Sequence, residues 1–206
     1  MEKAKKDYEE VIKDCDEAIR LNPKDAEAYK KRGDAKFTLG DKEGAIKDYD
    51  EAIRLNPNDA EVYINRGSAK FYVGDKEGAI KDYDEAIRLN PKYADAYINR
   101  GSAKSDLGDK EGAIKDYDKA IRLNPKYAVA YYNRGVTKAD LGDKKGAIKD
   151  YDKTISLDPE FTKAYYNRGN AKFALGDKEG AIKDYDEAIR LNPKYAVAYY
   201  NRGVTK

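Results

Sequence analysis

The chain has 206 residues, with 41 lysine and arginine residues, 39 aspartate and glutamate residues and no histidine. The two signs of charge alternate and form no basic patch, which argues against nucleic-acid binding. No stretch reaches the roughly 18 consecutive apolar residues of a membrane-spanning helix, so we expect no membrane contact.

The sequence repeats with a period of 34 residues. Leu-Asn-Pro begins at Leu21, Leu55, Leu89, Leu123 and Leu191, and Leu157-Asp158-Pro159 occupies the remaining position. This period is typical of stacked helix pairs, in which no unit buries its apolar face alone. We therefore predict one domain over 1–206, with complete repeats at 26–59, 60–93, 94–127, 128–161 and 162–195 between half repeats at 1–25 and 196–206.

The first half repeat contains the single cysteine of the chain, Cys15. Every later copy has tyrosine at this position, so we expect a buried core residue, with a reactive thiol as the alternative. One cysteine allows no internal disulfide and favours a reducing compartment such as the cytoplasm. No targeting signal is visible, and the localisation is otherwise open.

Each complete repeat predicts two helices, A and B, as 26–59 illustrates; repeat positions are numbered from 1 at its first residue. Helix A ends at Gly40, where glycine can adopt a left-handed conformation. Helix B begins after Asp41, whose carboxylate can accept from the first free N–H groups. Gly33 at position 8 and Gly44 at position 19 predict close packing, because glycine inside a helix otherwise costs about 1 kcal/mol.

Six positions of this repeat are occupied by Tyr29, Gly33, Ala45, Tyr49, Ala52 and Pro57, at positions 4, 8, 20, 24, 27 and 32. This pattern resembles the tetratricopeptide repeat family over the whole chain. The resemblance implies an all-α fold, a right-handed superhelical solenoid of antiparallel helix pairs. It also implies peptide or protein binding on a concave surface lined by helix A.

The chain departs from the family at position 7, usually leucine, and at position 11, usually tyrosine. Arginine and lysine stand there instead, and a buried arginine is costly without a partner. Aspartate recurs at position 23 with the same period. We therefore predict an Arg–Asp ladder that joins each helix B to the next helix A, from Asp14 with Arg32 to Asp184 with Arg202.

The copies differ chiefly at positions 2, 5, 9, 12 and 13 of helix A, which the resemblance places in the groove. The early groove reads as polar and acidic, and the later groove as apolar and aromatic. The predicted groove residues are Ile64, Asn65, Ser68, Phe71, Tyr72, Ile98, Asn99, Ser102, Asp106, Val129, Tyr132, Asn133, Val136, Asp140, Tyr166, Asn167, Asn170, Phe173 and Tyr200.

Two groups of groove residues have an alternative interpretation. Tyr72, Tyr132, Tyr166 and Tyr200 either contact a ligand or are partly buried against the neighbouring repeat. The asparagine that recurs at position 6 either holds a peptide backbone or bonds its own helix or water. The family's clamp for chaperone tails is not expected, because Asp34, Asp95 and Asn99 replace the side chains that it needs.

The sequence predicts no catalysis. Histidine is absent, no nucleophilic constellation can be assembled, and we expect no cofactor and no metal. The function that we predict is a protein-interaction scaffold that binds peptide or protein segments. The alternative is a designed or excised array whose main activity is head-to-tail self-association through exposed terminal helices.

Overall fold

The computed structural model describes residues 2–206, with side chains from residue 5 onward. These residues form α-helices without a strand among them. The helices are α1 Glu2–Leu21, α2 Ala26–Leu39, α3 Lys42–Leu55, α4 Ala60–Tyr72, α5 Lys76–Leu89, α6 Ala94–Asp106, α7 Lys110–Leu123, α8 Ala128–Asp140, α9 Lys144–Leu157, α10 Thr162–Ala174, α11 Lys178–Leu191 and α12 Ala196–Thr205. Even-numbered helices are the predicted A helices, and odd-numbered helices are the B helices.

The helices fall into two compact units, one ending at Leu107 and the other beginning at Gly108. Within the first unit, α1 to α6 pack in chain order, each against the next. The same is true of α7 to α12 within the second unit. The prediction of an all-α repeat solenoid is confirmed, whereas a single domain over 1–206 stays a prediction.

Local signals set the helix ends as the sequence predicts. Gly40 ends α2 with φ +99°, in the left-handed region that glycine tolerates. The Asp41 carboxylate accepts a hydrogen bond from the backbone N–H of Gly44 at 2.9 Å, which caps α3. The chain therefore turns between helices A and B at a fixed point in each repeat.

The glycines at positions 8 and 19 both mark close approaches, but of different kinds. A Cβ atom on Gly33 would lie 2.7 Å from the Tyr49 ring, which confirms close contact between helices A and B. A Cβ atom on Gly44 would lie 2.0 Å from the Asp41 carboxylate of its own helix cap. Our prediction of helix packing at Gly44 is therefore wrong, because the cap folds over this first turn.

The core of each repeat consists of small residues around one tyrosine. In the first complete repeat, Ala45, Tyr49 and Ala52 are buried. Cys15 occupies the tyrosine position on α1 and is 6% exposed, so its predicted burial is confirmed. Burial raises the pKa of the Cys15 thiol, which disfavours the reactive thiolate.

The Arg–Asp ladder is present, and its centre is a buried carboxylate at position 23. Asp82 is an example, with its side chain 5% exposed. Arg66 donates to both of its oxygens, from Nε at 2.9 Å and from Nη2 at 2.6 Å. Lys70 Nζ lies 2.9 Å from the same carboxylate, so the two departures from the family pattern, at positions 7 and 11, serve one buried anion.

The predicted partners within the ladder are wrong. Asp184 binds Arg168 of its own repeat rather than Arg202. Arg32 likewise binds Asp48 of its own repeat and, through Nη1 at 2.6 Å, Asp16 of the preceding helix B, where we predicted Asp14. The reason is that helices A and B of one repeat pack side by side, which places positions 7 and 23 face to face.

Arg32, Arg66, Arg134 and Arg168 therefore each link three consecutive helices. Arg66 holds Asp82 on α5 and, at 2.7 Å, Asp50 on α3, and its guanidinium lies 5.6 Å from the centre of the Tyr63 ring. Hydrogen bonding to Asp48, and also to Asp16, raises the pKa of the equivalent Arg32 despite its partial burial. The ladder fixes the register of neighbouring repeats.

Because of the close contact at position 8, we predict that replacing glycine by alanine destabilises the chain at Gly67 but not at Gly203. Gly67→Ala should lower the midpoint of thermal unfolding, because its Cβ would lie 2.7 Å from the buried Tyr83 ring; overpacking typically costs about 1–3 kcal/mol. Gly203→Ala should not, because no atom lies within 4 Å there and alanine favours the helix. Equal losses in circular-dichroism melts of the two variants would contradict this interpretation.

Candidate functional site

Three pockets recur at the same repeat positions between consecutive A helices. Pocket I, about 230 Å³, is lined by Asp34, Phe37, Thr38, Tyr49, Asn65 and Ser68. Pocket II, about 250 Å³, is lined by Ser68, Phe71, Tyr72, Tyr83, Asn99 and Ser102. Pocket III, in the second unit and about 200 Å³, is lined by Val136, Ala139, Asp140, Lys144, Tyr151, Asn167, Asn170 and Ala171.

The shared lining follows from helix geometry. Positions 9, 12 and 13 lie on one side of a helix A, because residues three and four apart share a face. Positions 6 and 9 of the next helix A form the opposite wall, and the buried tyrosine at position 24 of helix B forms the floor. Of the variable positions that we selected, 9, 12 and 13 therefore line these three pockets, whereas 2 and 5 do not.

In pocket I, a carboxylate joins both walls to the floor. Asp34 Oδ1 accepts hydrogen bonds from Tyr49 Oη at 2.7 Å and from Asn65 Nδ2 at 2.9 Å. Burial raises the pKa of Asp34, although these two donors act in the opposite direction. Burial, and next the bond to Asp34, raises the pKa of Tyr49, which stays a donor at neutral pH.

The position 6 asparagines Asn65, Asn167 and Asn201 bond the preceding helix A. Asn167 Nδ2 donates to Tyr132 Oη at 3.0 Å. Asn201 Nδ2 reaches Tyr166 Oη at 3.0 Å and Asn170 Oδ1 at 2.9 Å. In these repeats the amide nitrogen already has a protein partner, so its first role is to join consecutive repeats.

Position 5 belongs to the packing between repeats. Ile64 and Ile98 are 7% and 5% exposed, so our prediction that they line an open groove is wrong. Tyr132 packs against Phe161 with 4.7 Å between ring centres, and Tyr166 packs against Tyr195 at 5.2 Å. For these two tyrosines the structure favours the alternative of partial burial.

The aromatic partners of position 5 stand at position 34, where the next helix A begins. In the first repeats an aspartate occupies this position, and Asp25 accepts from the Ala28 N–H at 3.0 Å as a helix cap. Phe161 and Tyr195 make no such bond. The later repeats therefore exchange a cap hydrogen bond for ring packing. The paired change at positions 5 and 34 was the sequence signal for it.

The first unit has an exposed aromatic ring, Tyr72, beside the half-buried rings of Phe37 and Phe71, so the early groove is not polar throughout as we predicted. Tyr72 is 69% exposed and lies 5.6 Å from the Phe37 ring and 6.0 Å from the Phe71 ring, measured between centres. We call these three residues the aromatic cluster. Lys42 Nζ lies 3.6 Å from the centre of the Phe37 ring, so a cation adjoins the cluster.

The remaining predicted residues lie outside the pockets or in ion pairs at their edges. Asp106 pairs with Lys76 at 3.0 Å, and Asp140 with Lys110 at 2.6 Å. Asn133 is partly buried. Val129, Phe173 and Tyr200 are exposed, as are Val197 and Val204 on α12. Head-to-tail association through terminal helices stays a prediction.

Pocket residues at positions 10, 17 and 24 were missed from the sequence. The tyrosines at position 24 were assigned to packing alone, yet Tyr151 also lines pocket III. Lys144 at position 17 lines the same pocket. The sequence signal for the pocket role of these tyrosines was position 9. It changes from Asp34 to Ser68 to Val136, whereas position 24 stays tyrosine.

Two kinds of feature are missing from the part of the chain that the structure describes. No three histidine, cysteine, aspartate or glutamate side chains come together there in a way that could hold a metal ion. None of the described helices combines the length and the apolar character needed to span a bilayer.

Family models match most of the repeats. A TPR repeat model matches residues 33–74, 67–108, 103–142 and 169–206, and a tetratricopeptide repeat model matches 128–161. The chain belongs to the tetratricopeptide repeat family. A search of curated proteins gave no match.

Solved tetratricopeptide repeat structures are similar to this chain. MamA is 34% identical with a TM-score of 0.72, and the match covers 80% of this chain and 96% of MamA. YrrB, described as a TPR protein with an unusual peptide-binding site, is 23% identical with a TM-score of 0.71, over 92% of this chain and 97% of YrrB. A chain of the APC/C hetero-tetramer Cut9-Hcn1 shares the fold at 17% identity, with a TM-score of 0.82 over 97% of this chain and 40% of that one.

We predict that the stability of the fold does not need the negative charge of Asp34 in pocket I but does need its acceptor oxygen. Asp34→Asn should be at least as stable as the wild type at pH 7, since Asn170 accepts the same two bonds at the same repeat position. Asp34→Ala should lose about 1–3 kcal/mol, because the buried Tyr49 hydroxyl and the half-buried Asn65 amide lose their acceptor. Urea unfolding measures both variants.

The pH dependence provides the control. The pKa of Asp34 is raised on folding, so the folded chain binds this proton more readily and the wild type gains stability as the pH falls. Any advantage of Asp34→Asn should therefore shrink as the pH is lowered through the raised pKa of Asp34. A stability advantage of Asp34→Asn that grows as the pH falls would contradict a raised pKa of Asp34.

Proposed function

We propose that this tetratricopeptide repeat protein is a non-catalytic scaffold that binds an extended peptide or protein segment through the pockets between its A helices. The observation that carries the proposal is that the pockets recur at one set of positions with a different lining each time. A segment in an extended conformation can present successive side chains to such a series.

The contrast between framework and lining supports recognition. Residues 40–57, 74–91 and 176–193 are identical in sequence and contain helix B with its cap and its ladder aspartate. The pocket walls differ between the same repeats at positions 9 and 13, whereas position 12 is phenylalanine in all three. Because packing requires the framework to stay constant, differences at the walls alter ligand contacts and leave the fold intact.

The aromatic cluster is the proposed anchor in the first unit. The exposed ring of Tyr72, backed by the half-buried rings of Phe37 and Phe71, offers apolar area at a low cost in conformational entropy, and aromatic rings are common among residues that dominate binding energy. Tyr72 lines pocket II, and Lys42 Nζ lies 5.4 Å from the centre of its ring, which favours a segment with apolar and acceptor groups.

A non-catalytic role suits the chemistry of the pockets. Their linings contain no histidine or cysteine, the commonest general base and the most reactive nucleophile of proteins. The half-buried carboxylate of Asp34 accepts hydrogen bonds from Tyr49 and Asn65 and is not set against a reactive group. The similarity to YrrB, which is described as having a peptide-binding site, agrees with the same proposal.

The proposal predicts that Tyr72→Ala weakens peptide binding without unfolding the chain. A phage-displayed peptide library is panned on the wild type, and the affinities of recovered peptides are measured by fluorescence anisotropy. At least one class of peptides should bind Tyr72→Ala about tenfold more weakly, as expected when a central aromatic anchor is removed.

Tyr8→Ala is the matched control, because Tyr8 is also an exposed tyrosine but lies on α1, outside the three pockets. It should leave every affinity unchanged, and circular dichroism should show both variants folded. Failure to recover any peptide, or equal affinities for the wild type and Tyr72→Ala throughout, would refute the proposed function.

A further inference from the structure

Pocket III differs from the other pockets in the hydrogen bonding of its floor. Tyr49 donates to Asp34 at 2.7 Å, and Tyr185, the equivalent tyrosine on α11, donates to Asn170 at 2.9 Å. Tyr83 in pocket II has Ser68 Oγ at 3.4 Å. In the pocket III repeat, position 9 is Val136, which has no acceptor to offer.

The Tyr151 hydroxyl consequently has no hydrogen-bond partner among the described residues, although the side chain is 1% exposed. No polar side-chain atom of the described residues is both sealed from solvent and unpartnered, so this hydroxyl opens onto pocket III. Burial raises the pKa of Tyr151, which keeps the phenol protonated and therefore a donor at neutral pH.

The other polar groups of pocket III add donors and a positive charge. Lys144 Nζ donates to the Ala139 carbonyl at 2.6 Å, which leaves two of its N–H groups. The Asn170 oxygen already accepts from Tyr185 and Asn201, so its amide nitrogen is the group left over. The negative charge of Asp140 is offset by Lys110.

We propose that pocket III receives the carboxylate of an aspartate or glutamate side chain of the bound segment, with Tyr151 Oη and Lys144 Nζ as its hydrogen-bond donors. This inference rests on the proposed function and assigns the chemistry of one of its pockets. Val136, Ala139 and Ala171 supply apolar walls for the methylene groups of such a side chain.

Pockets I and II should not share this preference. In pocket I the floor tyrosine is already bound, and the carboxylate of Asp34 would repel a second anion. In pocket II no lysine or arginine contributes to the lining, and Tyr83 faces Ser68. The selectivity for an acid is thus set by valine at position 9 together with Lys144.

The test is a positional-scanning library of acetylated nonapeptide amides, with one position fixed at a time, applied to the immobilised full chain. The wild type should enrich aspartate or glutamate at one position of the recovered peptides. Tyr151→Phe, which removes only the hydroxyl, should reduce the affinity for the acidic peptide at least about tenfold, since a hydrogen bond to a charged group is lost.

Two further variants keep the result specific. Val136→Asn should have the same effect as Tyr151→Phe, because it gives Tyr151 the acceptor that Asn170 gives Tyr185. Tyr8→Phe removes a tyrosine hydroxyl from α1, outside the three pockets, and should leave the acid preference unchanged. A peptide with glutamine in place of the selected glutamate should bind the wild type more weakly. The difference in affinity between the two peptides should be smaller for Tyr151→Phe.

The possible outcomes distinguish a failure of carboxylate binding in pocket III from a failure of the proposed scaffold function. If the wild type enriches peptides with no acidic preference, or if Tyr151→Phe keeps that preference, pocket III does not bind a carboxylate and the scaffold function stands. If the wild type enriches no peptide at all, both proposals are overturned.

Discussion

At position 23 of the repeat, a buried aspartate receives an arginine and a lysine from the helix A beside it, as Asp48, Asp82, Asp150 and Asp184 do. Removing such a carboxylate from water is costly, and only complete pairing offsets the cost. The arginine supplies two parallel N–H groups and the lysine a second charge. Helices A and B of one repeat are thereby held in a single register.

The same arginine also reaches an exposed aspartate two residues further along the preceding helix B, as Arg134 reaches Asp118 at 2.6 Å. A family scaffold that usually relies on leucine and tyrosine at these positions relies here on a charged network. Such a network tolerates only one geometry, since a shift of register leaves a buried charge without its partner. Successive pockets therefore keep the same shape, and position 9 is free to alter their chemistry.

Local features of the fold were predictable because they depend on neighbours in the chain. Gly40 and Asp41 specify where one helix ends and the next begins, and the period specifies how often this happens. The presence of a ladder followed from the recurrence of arginine and aspartate. Its partners did not follow, because they depend on which faces of two packed helices meet, and Asp14 and Asp48 are equivalent in sequence.

The candidate site was predictable in outline and less so in detail. Positions 9, 12 and 13 line pockets, and that these pockets bind a peptide stays a prediction, whereas Ile64 and Tyr132 at position 5 pack one repeat on the next. The open hydroxyl of Tyr151 depends on a contact that valine fails to make 15 residues earlier in the chain. Such a property appears only when the two helices are seen together.

The most direct measurement of the ladder's role is the free energy of unfolding of Asp82→Ala beside that of a triple variant in which Arg66 and Lys70 also become leucine. The account predicts that Asp82→Ala loses about 3–5 kcal/mol, because two cations lose their buried partner, and that the triple variant recovers most of this loss. Losses that simply add from one substitution to the next, or an Asp82→Ala variant as stable as Asp50→Ala, would contradict it.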